Sequence, residues 1–418
     1  MTSSKTEQNE AYDPRLDQNY QNALKAIKHL EDAGYKARMA GGCVRDRLIG
    51  RRPKDYDIAT NAKPDDVCTI FKQKNIKTIP TGIDHGTITV LFGGQPVEVT
   101  SLRVDVATDG RRAVVAFGES FEEDSLRRDF TINALYEDIS GTIYDYHNGQ
   151  SDLKNQTLRF VGDAETRIRE DYLRILRLFR FWARFGFQPA PGTLEAIALE
   201  VQGLRKISSE RITSELLQTL ESDRYQDVIA SLINTKTLDV IFETENFPRP
   251  SEVALILNRK TEAAIARLAQ LFWDLPNSQV KQKAIQRRRL SRIQQDKLTA
   301  LFEEPLPAVS TDPGEVFEWL DRVEAKLGEG IWTDLLYPAW TLLRPDPRLQ
   351  SLDETIRTHS LRRLCPIDGQ YLIQNLSLAQ GPELGALISD IKRGYRRGQW
   401  KTNEEALAFA RERLKPKA

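Results

Sequence analysis

The chain of 418 residues is poor in cysteine, with three, Cys43, Cys68 and Cys365, too few and too scattered for a disulfide framework or a zinc site of paired cysteines. They read as free thiols. No stretch approaches the roughly 18 uninterrupted apolar residues that a membrane-spanning helix needs, so no membrane partner is expected. The first twenty residues are polar and contain no apolar signal segment, which makes the cytoplasm the expected location. Charge of one sign is not in excess either, because Lys+Arg and Asp+Glu both number 60. Overall charge therefore neither demands nor excludes a nucleic-acid partner, and only its distribution is informative. Internal repeats and low-complexity tracts are absent.

What is there is an ordinary globular composition, 40% hydrophobic and 29% charged, in a chain long enough for two or three domains at roughly 150 residues each. Leu24, Ile27 and Leu30 recur at helical spacing up to Gly34, so a helix over 21–34 is expected. Short β-rich runs follow (DYDIAT, HGTITVLF, QPVEVTSL, TIYDY), placing the sheet in the first third. From Asp163 to about Leu301 the periodicity is helical throughout. Breaks are expected at the Pro-rich stretch Glu303 to Gly314 and near Pro345, with helix again beyond. Residues 281–297 carry seven Lys/Arg against Asp296 alone, and 391–418 carry nine against three Glu. Such runs suit a phosphate backbone or, equally, a solvated helix face.

Three stretches carry candidate chemistry. In Met39 to Thr60, Gly41 and Gly42 precede a helix expected to start near Val44, leaving backbone N–H groups open to an anion, with Arg45 and Arg47 in the first turns. Asp55-Tyr56-Asp57 follows. On a strand the two carboxylates share one face, an arrangement suited to a pair of hard divalent cations acting at phosphorus. An isolated Asp-x-Asp is usually structural, and its combination with the glycine pair and helix is what sharpens it.

In Phe117 to Tyr136, Arg127, Arg128 and Asp129 precede an expected helix containing Ile132, Ala134 and Leu135. The arginines can hold phosphate and Asp129 can accept from a ribose hydroxyl, or the three form a surface ion-pair cluster.

Thr166 to Phe187 reads as one long helix, apolar nearly all round and hence buried. Asp171, Arg174, Arg177 and Arg180 nevertheless recur along it every third residue. A buried charge without a partner costs several kcal/mol, so these four need partners. They form a salt-bridge ladder, or Asp171 and Arg174, one turn apart, offer an acceptor and a forked donor to a nucleobase edge while Arg177 and Arg180 support them.

Taken together, these stretches resemble class II tRNA nucleotidyltransferases, the CCA-adding enzymes and their poly(A) polymerase relatives in the polymerase-β superfamily. The likeness is strong over about Arg38 to Leu220, with a weaker C-terminal feature at Gly381 to Gly385 and the following EEALAFAR helix. The resemblance implies an α+β fold: a nucleotidyltransferase head with a mixed sheet, then an all-α neck, body and tail. The corresponding boundaries are a polar tail at 1–20, head 21–150, neck 151–220, body 221–302 and tail 315–418.

Residue by residue, the resemblance makes Asp55 and Asp57 the catalytic, Mg²⁺-binding pair. Gly42, Arg45 and Arg128 become nucleotide contacts, and Asp129 the ribose-recognising acid. Asp171 and Arg174 become the pair that reads the incoming base, and Arg177 and Arg180 further nucleotide contacts. Glu98 resembles a third acid near the metals. The implied substrates are CTP, ATP and the tRNA 3′ end. Thr81 to Phe92 is like tRNA-specific members rather than bacterial poly(A) polymerases. Val99 to Phe117 looks like the flexible loop of enzymes able to add A, which argues against CC-only addition but leaves full CCA and A-only addition open. No histidine (His29, His85, His147, His359) is followed by Asp, so an appended HD phosphohydrolase is not expected.

Overall fold

A computed structural model describes residues 12–82, 86–108, 113–244, 247, 260–273, 290–307, 313–328, 330–343, 346–360, 367–376, 378, 381–396, 399–400 and 402–414. The chain divides into two compact units between Phe247 and Pro248.

The first unit opens with α1 (Gln18–Asp32), started by the Asp17 carboxylate accepting from the Asn19 N–H at 3.0 Å. Its buried face is Ala23, Ala26, Ile27 and Leu30, one helical stripe. The stripe packs on a seven-stranded mixed sheet of order β3-β4-β5-β2-β1-β8-β9. In chain order these strands are β1 (Ala37–Ala40), β2 (Asp57–Thr60), β3 (Lys77–Gly82), β4 (Thr87–Phe92), β5 (Gln95–Ser101), β8 (Leu135–Glu137) and β9 (Ile143–Asp145). Only β2 and β5 pair in parallel, with Asp57 opposite Glu98; the other pairs are antiparallel. Met39, Ile58, Val90 and Val99 are fully or almost fully buried, so the β-branched runs seen in the sequence are the sheet's inner residues.

Between β1 and β2 lies the short α2 (Gly42–Leu48), and after β2 comes α3 (Pro64–Gln73), with proline at its first position and Asp65 and Asp66 in its first turn. A separate hairpin, β6 (Arg103–Thr108) with β7 (Ala113–Phe117), is built from the loop-like stretch 99–117, whose tip at 109–112 lies outside the described residues. Next is α4 (Phe121–Leu126), capped by Ser120. The helix expected around Ile132 to Leu135 is not formed. Thr131–Asn133 make a single 3-10 turn and Leu135 starts β8, because the segment's apolar residues are needed for pairing with β1 in the buried middle of the sheet.

The helical part begins with α5 (Gly149–Lys154) and α6 (Ala164–Glu170), the latter capped by Asp163. The single long helix expected over 166–187 is two. Asp171 leaves helical geometry, with φ −149°, and α7 (Leu173–Phe185) starts afresh with the Asp171 carboxylate accepting from the Leu173 N–H at 3.1 Å. Aspartate competes with the helical ladder by bonding nearby backbone donors, and here it does so inside a long periodic run. Gly186, at φ +76°, closes α7. The region is not wholly helical either, since β10 (Thr157–Leu158) pairs with β11 (Gln188–Pro189). Beyond lie α8 (Thr193–Glu200), α9 (Ser209–Glu221), α10 (Gln226–Asn234) and α11 (Thr237–Phe242), with α7 packed against α9 and α10.

The second unit is helical. Trp319, Trp332 and Trp340 form its centre, their indole N–H groups donating to Pro305 O, Asp353 Oδ1 and Leu301 O at 3.1, 3.0 and 3.0 Å. A further core joins Leu372, Leu387, Ile391, Ala406 and Leu407 from the helices Gly369–Leu376, Pro382–Arg396 and Asn403–Arg413. Residues 281–289 of the first basic run, Cys365 and His85 fall outside the described residues. Cys43 and Cys68 are free thiols. Among the described residues no helix is long and apolar enough to cross a membrane.

Candidate active site

A cleft of about 640 Å³ opens in the first unit, lined by eight arginines, four aspartates and a few other side chains. Of the residues singled out from the sequence, Gly42, Arg45, Asp55, Asp57, Arg128, Asp129, Asp171, Arg174, Arg177 and Arg180 line it, whereas Arg47, which turns to Glu137 and Tyr20, and Glu98 do not. They arrive from four places in the fold.

The turn from β1 into α2 supplies the first. Gly41 sits at φ +73°, where an L side chain is strained, and a Cβ there would stand 2.7 Å from Arg128 Nη1. Glycine thus lets the backbone approach Arg128, and α2 starts at Gly42, two residues earlier than the pattern suggests. Arg45 is 3% exposed, bonded to Asp46 Oδ1 through Nε at 2.8 Å and to Asn133, with Phe181 and Phe185 beneath its guanidinium at 5.3 and 4.7 Å.

The start of β2 supplies the carboxylates. Asp55 is exposed and Asp57 half-buried, both facing the cleft, while Tyr56 between them is 3% exposed and absent from its lining. Asp55 precedes the strand proper, yet the alternation expected of an extended segment holds. Asp57 has its carboxyl pushed up to about 6, first by burial and then by the like charges of Asp55 and Glu98, with Arg128 opposing. Among the described residues no hydrogen bond or ion pair engages either aspartate side chain. Two oxygen-donor groups crowded together without a cationic partner are the donor set a hard divalent cation requires. Glu98 is exposed and opposite Asp57 in register, but no set of three His, Cys, Asp or Glu groups is placed to share an ion among the described residues, so the acids stand as a pair.

After α4 come the arginines and acid of the second motif. Arg128 donates to Tyr136 Oη (3.0 Å), Asn133 O (3.2 Å) and Asp124 Oδ2 (3.3 Å), which fixes it at the cleft wall. Asp129 accepts from the Phe130 N–H (2.8 Å), Asn133 Nδ2 (2.9 Å) and Arg177. Burial pushes its carboxyl up, but the Arg177 charge and these hydrogen bonds outweigh it and hold the group below its ordinary value. The cluster is not a surface feature.

The joint before α7 and its first three turns supply the rest, and every charge on this helix has a partner. Arg174 Nη1 donates to Arg167 O (2.6 Å) and Glu170 Oε2 (2.7 Å), and Nη2 to Arg127 O (3.2 Å). Arg180 pairs with Glu215 Oε2 at 2.7 Å. Asp171 is held by Arg211 Nη2 at 2.9 Å. Ladder and cleft are one arrangement, since the salt-bridged arginines also line the cavity. Asp171 is a cap rather than a residue one turn below Arg174 on a continuous helix. Its neighbour Tyr172 lies flat on Gly203, where a Cβ would fall 1.9 Å from ring Cε1, and Lys206 Nζ covers the ring at 5.2 Å.

Sequence reasoning missed Asn133, Phe181, Arg184 and Arg211 as cleft residues. Arg184 lies four residues, about one helical turn, beyond Arg180 on α7 and was findable that way; it reaches back to Asp46 Oδ2 at 3.2 Å. Arg211 comes from α9, 40 residues from its partner, and no local pattern marks it. With arginines in excess over aspartates, the cleft is built for a polyanion that also carries a divalent cation.

Comparison with known proteins agrees with that chemistry. Residues 37–159 match the family described as the poly A polymerase head domain, and 186–246 match the probable RNA and SrmB-binding site of polymerase A. A mitochondrial CCA tRNA nucleotidyltransferase 1 of Danio rerio is 33% identical over 382 residues, 89% of this chain and 86% of that protein. A CCA-adding enzyme of Lactobacillus johnsonii is 33% identical over 397 residues, 92% of this chain and 95% of its own. The crystal structure of a Bacillus stearothermophilus CCA-adding enzyme in complex with CTP superposes with a TM-score of 0.67 at 30% identity, covering 96% of this chain and 100% of that one. By its sequence, its head fold and its relatives along nearly the full length, the chain belongs to the family of class II CCA-adding tRNA nucleotidyltransferases.

Proposed function

We propose that this protein extends the 3′ end of tRNA with CMP and AMP from CTP and ATP, without a nucleic-acid template, to build or complete the terminal CCA. The observation that carries the reading is the convergence of Asp55, Asp57, Arg128, Asp129, Asp171 and Arg174 on one cleft. In the reaction the tRNA 3′-hydroxyl attacks the α-phosphate, a new phosphodiester bond forms, the bond to the β-phosphate breaks and pyrophosphate leaves.

Nucleotidyltransferases of this family generally use divalent metal ions. Mg²⁺ fits the Asp55/Asp57 pair, where it would activate the hydroxyl and neutralise charge building on the leaving group. The chain's own residues do the remaining work. Arg128 and Arg45, held rigid by Asp124, Asn133 and Asp46, present donors to phosphate oxygens. Asp129, aligned by Arg177, is placed to accept from the ribose. Asp171 offers an acceptor and Arg174 a donor, the complement of an exocyclic amine beside a bare ring nitrogen. Cytosine and adenine both present that edge, and uracil and guanine present the reverse.

Purified protein given tRNAs lacking three, two or one terminal nucleotide, with each triphosphate alone and both together, tests the proposal. Incorporation of C, C and A in order supports full CCA synthesis, and A alone on the substrate lacking one nucleotide would mark an A-only enzyme. Long tails on arbitrary RNA would mark a poly(A) polymerase, and no incorporation would overturn the reading. We assign the activity to the cytoplasm, supported by the likeness to bacterial CCA-adding enzymes; recovery in an organelle fraction would reverse that assignment.

A further inference from the structure

Tyr56 stands between the two cleft aspartates, and its ring points to the opposite side of the chain from them. There it meets the segment that precedes α1. Its hydroxyl contacts the Tyr12 hydroxyl and lies 3.4 Å from Asp17 Oδ2, while Tyr12 Oη donates to the same Oδ2 at 3.0 Å. Tyr20 packs against the Tyr56 ring at 5.8 Å between centroids, and the Arg47 guanidinium covers Tyr20 at 4.5 Å.

Asp17 is the centre of this assembly. It is 4% exposed, and besides the tyrosines it accepts from the Asn19 N–H at 3.0 Å and from Arg52 Nε and Nη2 at 3.3 and 3.4 Å. A buried carboxylate with this many donors is held in one position. Arg52 lies three residues before Asp55 and Tyr56 one after it. Asp17 therefore ties down the chain on both sides of Asp55, whose own side chain has no partner among the described residues. The segment from Tyr12 to Asp17 lies ahead of the residues that match the poly A polymerase head, which begin at 37.

Resting on the metal-binding reading of Asp55 and Asp57 above, we propose that Asp17, with Tyr12 and Tyr56, is a strap behind the carboxylate pair that sets the spacing at which it holds a divalent cation. None of the three touches the metal or the nucleotide, so they are positioning residues. Supporting groups of this kind, bonded to the backbone or side chains that carry the ligands, change metal affinity or activity by about 10- to 100-fold when removed.

Two variants separate positioning from stability. Asp17→Asn keeps an equally good helix cap but loses the charge that binds Arg52 and both tyrosines. Tyr56→Phe keeps the ring and its packing and loses only the hydroxyl. Mn²⁺ binding to the free protein, read by electron paramagnetic resonance without substrates, is expected to weaken about tenfold in Asp17→Asn and a few-fold in Tyr56→Phe. In turnover the half-activating Mg²⁺ concentration rises in parallel while the KM for CTP stays within about twofold. The double variant is no weaker than Asp17→Asn, because the two groups act through one network.

Wild-type Mn²⁺ affinity in both folded variants, or additive losses, would overturn the strap. Mn²⁺ binding left unchanged by Asp57→Asn would instead remove the metal reading on which the strap depends. If Asp17→Asn fails to fold, Tyr56→Phe decides the question alone.

Discussion

Arg177 grips a single oxygen of Asp129, with Nε at 2.8 Å and Nη2 at 2.5 Å from Oδ2, across 48 residues of sequence. The other oxygen is occupied by the Phe130 N–H and Asn133. The acid expected to meet the ribose is therefore aligned before any nucleotide arrives, and Arg177 acts largely through it. Arg177→Ala is expected to lower kcat/KM for CTP by about 10- to 100-fold, the range of a charged hydrogen bond. A double-mutant cycle with Asp129→Asn should return a coupling of about 1–3 kcal/mol. Additive losses would show that the two residues work separately.

Asp57 is destabilising in the metal-free protein. Its carboxyl sits above the ordinary value because of burial, Asp55 and Glu98, so the charged form is less favoured in the folded than in the unfolded chain. Asp57→Asn removes that strain and is expected to raise the metal-free Tm by about 2–4 °C, from roughly 1 kcal/mol, while abolishing CMP incorporation and the Tm increase produced by Mg²⁺. A lower Tm with metal stabilisation retained would refute the assignment.

On the function proposed above, Asp171 and Arg174 are the pair expected to select the base. The Asp171 side chain is one-third exposed and its partner Arg211 half exposed, so the ion pair between them adds little stability. Asp171→Ala should lower Tm by only about 2–4 °C, through the lost bond to the Leu173 N–H, and cut preference for C and A over U and G by about 10- to 100-fold, the worth of one good base-edge contact. Competition assays with four labelled triphosphates measure it, and intact selectivity would return the residue to helix capping.

Asp124 gives the acid response its sign. Burial raises its carboxyl, but Arg128, Arg127 and the Tyr136 hydroxyl outweigh that and hold it below its ordinary value. A depressed carboxylate stabilises the fold above its unfolded value, near 4, and that contribution is lost as pH falls through the lower folded value. Asp124→Asn should therefore be less stable at pH 7 and show a shallower decline below about pH 4. Melting curves that run parallel to wild type across this range would contradict the account.

Alternation, helical spacing and the glycine pair made the head legible, because each is a local effect: Asp55 and Asp57 share one face of an extended segment, and the spacing of Leu24, Ile27 and Leu30 marks α1, in which Ile27 and Leu30 are buried. The misreadings arose where distant contacts decide. Ile132 to Leu135 carry helical spacing, yet pairing with β1 draws Leu135 into the sheet. The break at Asp171 was hidden because apolar periodicity continues through it. Arg211 and Glu215 reach the arginine ladder from a helix whose own pattern is that of an ordinary amphipathic segment.

The hydrogen on Gly203 has a remote role. It leaves a flat bed for the Tyr172 ring, and with it a fixed pose for the acid one residue upstream. Any larger side chain there would tip the ring and swing that acid, although the altered atom never meets a nucleotide. If that acid reads the base as proposed, errors in the finished tail, rather than a slower enzyme, are the expected trace of such a change.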